Sequence, residues 1–182
     1  SATMILFAII DIVGNIPLIV LFREKFKVIE SEKASIVSLI IMIVFLYVGE
    51  ALLNLLGVDI NSFAVAGSII ILFLAAEMIL GIKIYKDNNP KTASIVPIAF
   101  PLIAGPGTLT TLISIKSEYN EVNIILAIIL NMILVYIVLK SSEKLQKILG
   151  SQGINILRKV FGIILLAIGI KLFTTNIKMI FA

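Results

Sequence analysis

The chain of 182 residues contains no histidine, no cysteine and no tryptophan. Without cysteine there is neither a disulfide nor a thiolate nucleophile, and the redox compartment leaves no mark. Without histidine there is no imidazole acid–base pair, no Ser–His nucleophile and no Cys/His zinc site. Charge is also scarce: only 14% of residues are Asp, Glu, Lys or Arg, for a net charge of +4. That balance gives no reason to expect nucleic acid as a partner. An aspartyl dyad would need two membrane-embedded acids, yet Asp59 and Asp87 fall in connections, which leaves only Asp11 with Glu77. The chain is therefore not read as an enzyme.

What is present is apolar. Hydrophobic residues make up 60% of the chain and the mean hydropathy is +1.16. A stretch of about 20 apolar residues spans a hydrocarbon core roughly 30 Å thick, and six such stretches occur. They run roughly Ala2–Phe22, Ala34–Leu56, Phe63–Ile84, Ser94–Ile115, Val122–Leu139 and Val160–Phe181. The expected fold is an all-α integral membrane protein of six transmembrane helices. The opening Ser1-Ala-Thr-Met4 carries no basic segment, so the first stretch reads as a span rather than a cleaved leader, and the natural start is left open.

The connections alternate in charge. Arg23, Lys25, Lys27 and Lys33 separate the first two spans; Lys83, Lys86 and Lys91 the third and fourth; Lys140, Lys144, Lys147, Arg158 and Lys159 the fifth and sixth. The other side carries only Lys116 and Lys178 near span ends. Basic residues in short connections mark the cytoplasmic side. The expectation is a multi-pass cell-membrane protein with basic loops cytoplasmic and both termini extracellular.

Three spans per half is odd, so the halves 1–92 and 93–182 would enter the membrane from opposite sides. Gly14-Asn15 matches Gly107-Thr108, and Gly67 matches Gly162, at offsets of 93 to 95 residues. Internal repeats of inverted topology characterise many secondary transporters, whose sites form where spans of the two halves are interrupted. Two spans are interrupted here. Asp11-Ile-Val-Gly-Asn-Ile-Pro17 breaks the first and Pro101-Leu-Ile-Ala-Gly-Pro-Gly-Thr108 breaks the fourth, so helices 1 and 4 are expected to be discontinuous. Irregular backbone at membrane depth is tolerated only where protein buries it or it lines a polar cavity.

Each break frees helix ends. Asn15 and Thr108 are expected to cap the half-helices that follow, whose positive ends attract anions such as carboxylates. Asp11 stands at the negative end of the first half-helix and invites an ammonium, a metal cation or a proton. A pocket with both features complements a zwitterionic amino acid; a plain anion or cation site is the alternative. Thr110, Thr111 and Ser114 follow the second break and could line the pocket, although hydroxyls in membrane helices usually bond their own backbone; Thr111, one turn from Thr108 on the same face, is the best candidate of the three. Glu77 is a candidate proton or cation carrier with Asp11, or a structural partner for Lys171. Asn131 is expected to bond a neighbouring helix, Glu50 to reach the interface, and Gly67 and Gly162 to mark close helix packing.

The two interrupted segments, with Leu149-Gly-Ser-Gln-Gly-Ile-Asn-Ile-Leu-Arg-Lys-Val-Phe-Gly162, resemble the MarC family over nearly the whole chain. Pro-Leu-Ile-Ala-Gly-Pro-Gly-Thr at 101–108 is the most specific part. SnatA-like members of that family are six-span neutral amino acid transporters. The resemblance implies glycine and alanine as substrates, coupling to a proton, and a site to which Asp11, Gly14, Asn15, Gly105, Gly107 and Thr108 contribute. The family commonly has Pro after the acidic residue of the first motif, where this chain has Ile12. No cofactor is implied beyond a coupling proton or sodium. The partners expected are a small neutral amino acid and the lipid bilayer, with an oligomer left open. A channel, an efflux permease for another polar solute and a membrane scaffold are the competing functions. A channel would need a continuous polar lining, and a scaffold would not need polar breaks in its core.

Overall fold

The computed structural model describes residues 1–13, 15–26, 29–82, 94–116 and 118–181. They form helices and no strands: α1 Ala2–Ile10, α2 Ile16–Phe26, α3 Ser31–Leu55, α4 Ile60–Leu80, α5 Ser94–Ile103, α6 Pro106–Ile115 and α7 Glu121–Ile180. Among the described residues, four stretches are long and apolar enough to cross a membrane: Ser31–Leu55, Ile60–Leu80, Glu121–Ser142 and Lys159–Ile180. The pair Ile95–Ile103 and Pro106–Ile115, bent by 42°, makes a fifth if counted as one.

The first expected span is two helices, each too short to cross alone. α1 stops at Asp11, which takes a left-handed conformation (φ 44°) and donates its N–H to the Phe7 carbonyl at 3.0 Å. Asp tolerates that region better than most residues. The Asn15 N–H donates to the Asp11 carbonyl and that of Ile16 to Val13, so the detour is tight before α2 resumes. Gly14, expected to free the backbone here, lies outside the described residues.

In the fourth expected span the chain breaks more than once. Val96 (φ −122°, ψ 120°) and Phe100 (φ −132°, ψ 130°) are extended inside α5, each followed by a proline through a cis bond. Proline disfavours helical conformation in the residue before it, which explains both positions.

Between α3 and α4 the turn is built from small signals. Gly57 (φ 67°) ends α3, and the Val58 N–H reaches back to the Leu53 carbonyl at 2.9 Å. This is the glycine-dependent close of a helix, which relieves an otherwise unpaired carbonyl. Asp59 then caps α4, accepting from the Ser62 N–H at 2.8 Å.

The fifth and sixth expected spans are not separate helices: both belong to α7, which stays helical for 60 residues. Lys, Glu, Gln, Leu and Ile dominate residues 140–159, and such side chains favour helix even where they end an apolar span. Yet α7 is not straight. Glu121 lies just beyond α6, Pro106 at the far end of α6 abuts Gly67, and Leu72 on α4 abuts Gly169. That path is at most about 60 Å long, while a straight helix would hold residues 121 and 169 about 72 Å apart. α7 is therefore bent between its two apolar lengths.

Packing follows the same division. Glu32 at the start of α3 meets Tyr136, and Leu46 near its end meets Lys116 just before α7 begins, so α3 runs antiparallel to the first length of α7. Gly162 abuts Met78 and Ile79 while Gly169 abuts Leu72, so α4 runs antiparallel to the second length. Gly67 and Gly162 are close-packing positions, as expected. That register sets Lys171 and Glu77 at different levels, about 10 Å apart along the helices; Lys171 is exposed, and a Glu77–Lys171 pair is not among the described ion pairs.

The core is a continuous apolar cluster that includes Leu6, Ile19, Met42, Leu46, Ile98, Ile103, Leu112, Ile124 and Leu139. The outer faces are equally apolar. Ile36, Ile40 and Val44 on α3 and Leu126, Ile133 and Ile137 on α7 are about half exposed. Rows of aliphatic side chains facing outward suit hydrocarbon and not water.

Candidate functional site

The two interruptions lie on elements that touch, since α1 packs against α6. At the first, the Asn15 side chain does not reach forward to cap α2 in the described bonds. Its amide donates back to the Ile10 carbonyl at 3.3 Å, satisfying an acceptor at the open end of α1. At the second, the cap of α6 is Gly105, with Pro106 in the first turn. Proline is favoured there because its position needs no amide hydrogen. Thr108 lies inside the helix, 3% exposed, and its hydroxyl donates back to the Ile103 carbonyl at 2.9 Å. Both residues expected as forward caps therefore close the preceding half-helix.

These two hydrogen bonds have the same form and differ by one offset: 15 to 108 and 10 to 103 are both 93 positions. Two further bonds repeat at that offset. Ser38 donates to the Ala34 carbonyl at 2.8 Å, and Asn131 to the Ala127 carbonyl at 2.9 Å. Arg23 donates to the Leu139 carbonyl at 3.0 Å, and Lys116 to the Leu46 carbonyl at 3.2 Å. In this last case the donors are 93 apart and the acceptors are 93 apart in the reverse sense. α1 itself, at 2–10, corresponds in position to Ile95–Ile103, although only the second of these is interrupted by extended residues.

Each glycine of the second break does different work. A Cβ on Gly105 would lie 2.1 Å from the Pro101 carbonyl oxygen, so only glycine allows that backbone approach. A Cβ on Gly107 would meet nothing within 4 Å. Gly107 thus faces open space at the start of a helix whose first amides have no partner within it. The hydroxyls of Thr111 and Thr110 both donate to the Gly107 carbonyl, at 2.7 and 3.1 Å, and Ser114 bonds Thr110. Thr111 is half-buried and keeps its oxygen lone pairs for a further donor.

Asp11 is exposed at the interruption of the first half. Glu77 lies in the last turn of α4, half-buried, with its carbonyl accepting from the capping Gly81 N–H at 3.1 Å. It stands nearer the end of the helix than mid-span. Asn131, besides its intrahelical bond, donates to the Thr3 carbonyl at 3.2 Å and so joins α7 to α1, the interhelical role expected of it. Among the described residues no three acidic side chains cluster as a metal site would require.

Nothing in the sequence context of Arg23 and Lys116 marks them as site residues. Arg23 is only 7% exposed, and its guanidinium also donates to the Ser142 hydroxyl at 3.1 Å. The signal that could have found both is the 93-residue spacing already visible in Gly14 and Gly107.

Fold and interruptions together define an all-helical, multi-pass integral membrane protein whose irregular backbone is concentrated at two related points. More particularly, the chain belongs to the MarC family: the model of MarC family integral membrane proteins matches residues 1–181. Its relatives carry the name UPF0056 membrane protein. One from Buchnera aphidicola of Schizaphis graminum is 32% identical over 96% of this chain and 89% of its own length. YhcE of Escherichia coli is 29% identical over 97% of this chain and 90% of its own length. A Pyrococcus abyssi relative is 32% identical over 95% and 90%. No solved structure matches the chain.

Proposed function

We propose that this protein is a secondary transporter of small neutral amino acids such as glycine and alanine. It would work by alternating access around a midplane site formed by its two broken helices. The observation that carries this is the repetition of one closing hydrogen bond, Asn15 to Ile10 and Thr108 to Ile103, at both breaks. The further bonds repeated at the same offset, and the bend between the two apolar lengths of α7, support six spans arranged as inverted repeats, 1–92 and 93–182.

In this arrangement the amides of Gly107 and Thr108, at the positive end of α6, receive the substrate carboxylate. Asp11, at the negative end of α1, faces its ammonium. The open space at Gly107 admits a side chain as small as hydrogen or methyl. Gly105 and Asn15 shape the interruptions, Gly14 is a candidate by its sequence position alone, and Thr111 offers its oxygen to the substrate. Asp11 and Glu77 are the candidate carriers of a coupling proton or sodium. The basic connections face the cytoplasm and both termini the outside.

The test is transport in liposomes. Purified protein is given radiolabelled glycine or alanine, with and without an imposed pH or sodium gradient, beside Asp11→Asn and Gly107→Leu. Gradient-dependent accumulation lost in both variants is expected. Passive flux alone would assign a channel or facilitator, and no flux from folded protein would overturn the substrate.

A further inference from the structure

A groove of about 310 Å³ runs between α3 and the first length of α7, away from the interruptions. Its walls are Ile36 and Leu39 on one side and Ile129, Met132 and Ile133 on the other. Ile36, Ile129 and Ile133 are 40–55% exposed, so the groove opens sideways on the apolar outer face. Met132, 5% exposed, forms its floor.

Two polar features do not fit a merely greasy crevice. At the mouth, the Tyr136 hydroxyl donates to Glu32 at 3.1 Å, and Lys140 donates to Tyr136 at 2.7 Å. Lys140 and Glu32 are only loosely paired, at 3.8 Å, with both side chains more than 60% exposed. A carboxylate and an ammonium are thus presented side by side where the groove meets the basic connections. One turn deeper, Ser35 lines the groove, 7% exposed, its hydroxyl sealed and without a hydrogen-bond partner among the described residues. Ser38 on the same helix donates to its own backbone; Ser35 does not. A buried hydroxyl left unmade is unfavourable by about 1–3 kcal/mol, so Ser35 marks a place where an outside acceptor belongs.

The geometry points to a binding site for one glycerophospholipid with a primary-amine headgroup, the ethanolamine class, from the leaflet on the basic side. The headgroup ammonium meets Glu32 and its phosphate meets Lys140. The ester carbonyl lies below the phosphate at the level of Ser35, about 4.5 Å along α3 from Glu32, where a change of the Ser35 χ1 rotamer turns its sealed hydroxyl toward the lipid. One acyl chain follows the groove over Met132. A choline headgroup has no N–H to give Glu32, and a glycerol headgroup has no cation for it. This site is independent of the transport proposal.

Native mass spectrometry tests it on the whole protein, stripped of lipid and offered equal amounts of ethanolamine, choline and glycerol phospholipids with identical acyl chains. One ethanolamine lipid is expected to be retained preferentially. Glu32→Gln should weaken its retention about tenfold, the worth of one charge-assisted hydrogen bond, and abolish the preference. Ser35→Ala should weaken all three headgroup classes together, and Met132→Trp, which fills the floor, should abolish retention. Because Glu32→Gln conserves shape at an exposed position, it reports on the site even if Met132→Trp fails to fold. Equal retention of the three classes by the parent, preference for the glycerol lipid, or retention unchanged in Glu32→Gln would overturn the assignment.

Discussion

At the level of single residues, three glycines near the second break should respond differently to the same added methyl. On Gly67 a Cβ would lie 1.7 Å from the Pro106 ring, and on Gly105 it would lie 2.1 Å from the Pro101 carbonyl oxygen. Neither neighbour is the free end of a flexible chain. Gly67→Ala and Gly105→Ala are expected to destabilise by about 1–3 kcal/mol each, the usual range for overpacking, seen as lowered thermal midpoints in detergent. Gly107→Ala should leave the midpoint unchanged, because the methyl enters open space, yet weaken uptake if that space is where substrate sits. Asp59 offers a prediction outside the membrane-spanning segments. The Ser62 hydroxyl and then the Ser62 N–H hold its carboxyl below the ordinary aspartate value. A carboxyl depressed in the folded state contributes stability that is present above the unfolded value, about 3.9, and is lost as pH falls through the folded one. Asp59→Asn should therefore flatten the acid limb of a melting-temperature profile below about pH 4. At this scale the positions of the two interruptions were legible in the sequence, and the hydrogen bonds made at them were not. Asn15 and Thr108 are as capable of reaching backward as forward, and local sequence does not rank a carbonyl behind against an amide ahead. What ranks them is the depth of the break: Thr108 falls inside α6 because Gly105 and Pro106 already start the helix.

Among the elements, the half-helices α2 and α6 each end in a cation that grips another helix by a backbone carbonyl, Arg23 at Leu139 and Lys116 at Leu46. Since α3 is antiparallel to the first length of α7, Leu46 lies about 21 Å along α3 from Glu32, which sits beside Tyr136 near Leu139. The two grips therefore close opposite ends of the bundle. If access alternates, each should hold one side shut. Arg23→Ala is expected to expose the site from the basic side and Lys116→Ala from the other, by several-fold changes in labelling of a single introduced cysteine. The natural absence of cysteine leaves that signal without background. Shifts in the same direction for both variants would rule out paired gates. The elements themselves were only partly legible. Hydropathy found the apolar lengths, and the clustering of proline with glycine and polar residues at 11–17 and 101–108 marked both interruptions, whereas lone glycines such as Gly67 and Gly162 pack helices. Hydropathy did not find the extended residues Val96 and Phe100, although Pro97 and Pro101 carried the signal. Nor did it foresee helix across 140–159, since loss of hydropathy ends a span but does not end a helix.

For the molecule as a whole, the open matter is which connections share a side. The antiparallel pairings of α3 and α4 with the two lengths of α7 put the turn at 56–59 and residues 118–120, just before α7, toward one end. The starts of α3 and of the second α7 length lie toward the other. The basic residues fall at this second end, among them Arg23, Lys33, Lys140 and Lys159, and since Lys and Arg in short connections are biased toward the cytoplasm, the orientation proposed above puts this end inside. Single cysteines at Gly57 and Glu118 should thus react with a membrane-impermeant maleimide added to intact cells. Cysteines at Glu30 and Gln152 should react only after the cells are opened. Both positions of a pair must behave alike, because each pair joins one connection from each half. A split within either pair would mean that the halves enter the membrane in the same sense. The matched bonds at Asn15 and Thr108 would then be parallel copies on one side of the bilayer, unable to face a common midplane site, and the amino acid site proposed between them would fall with the topology.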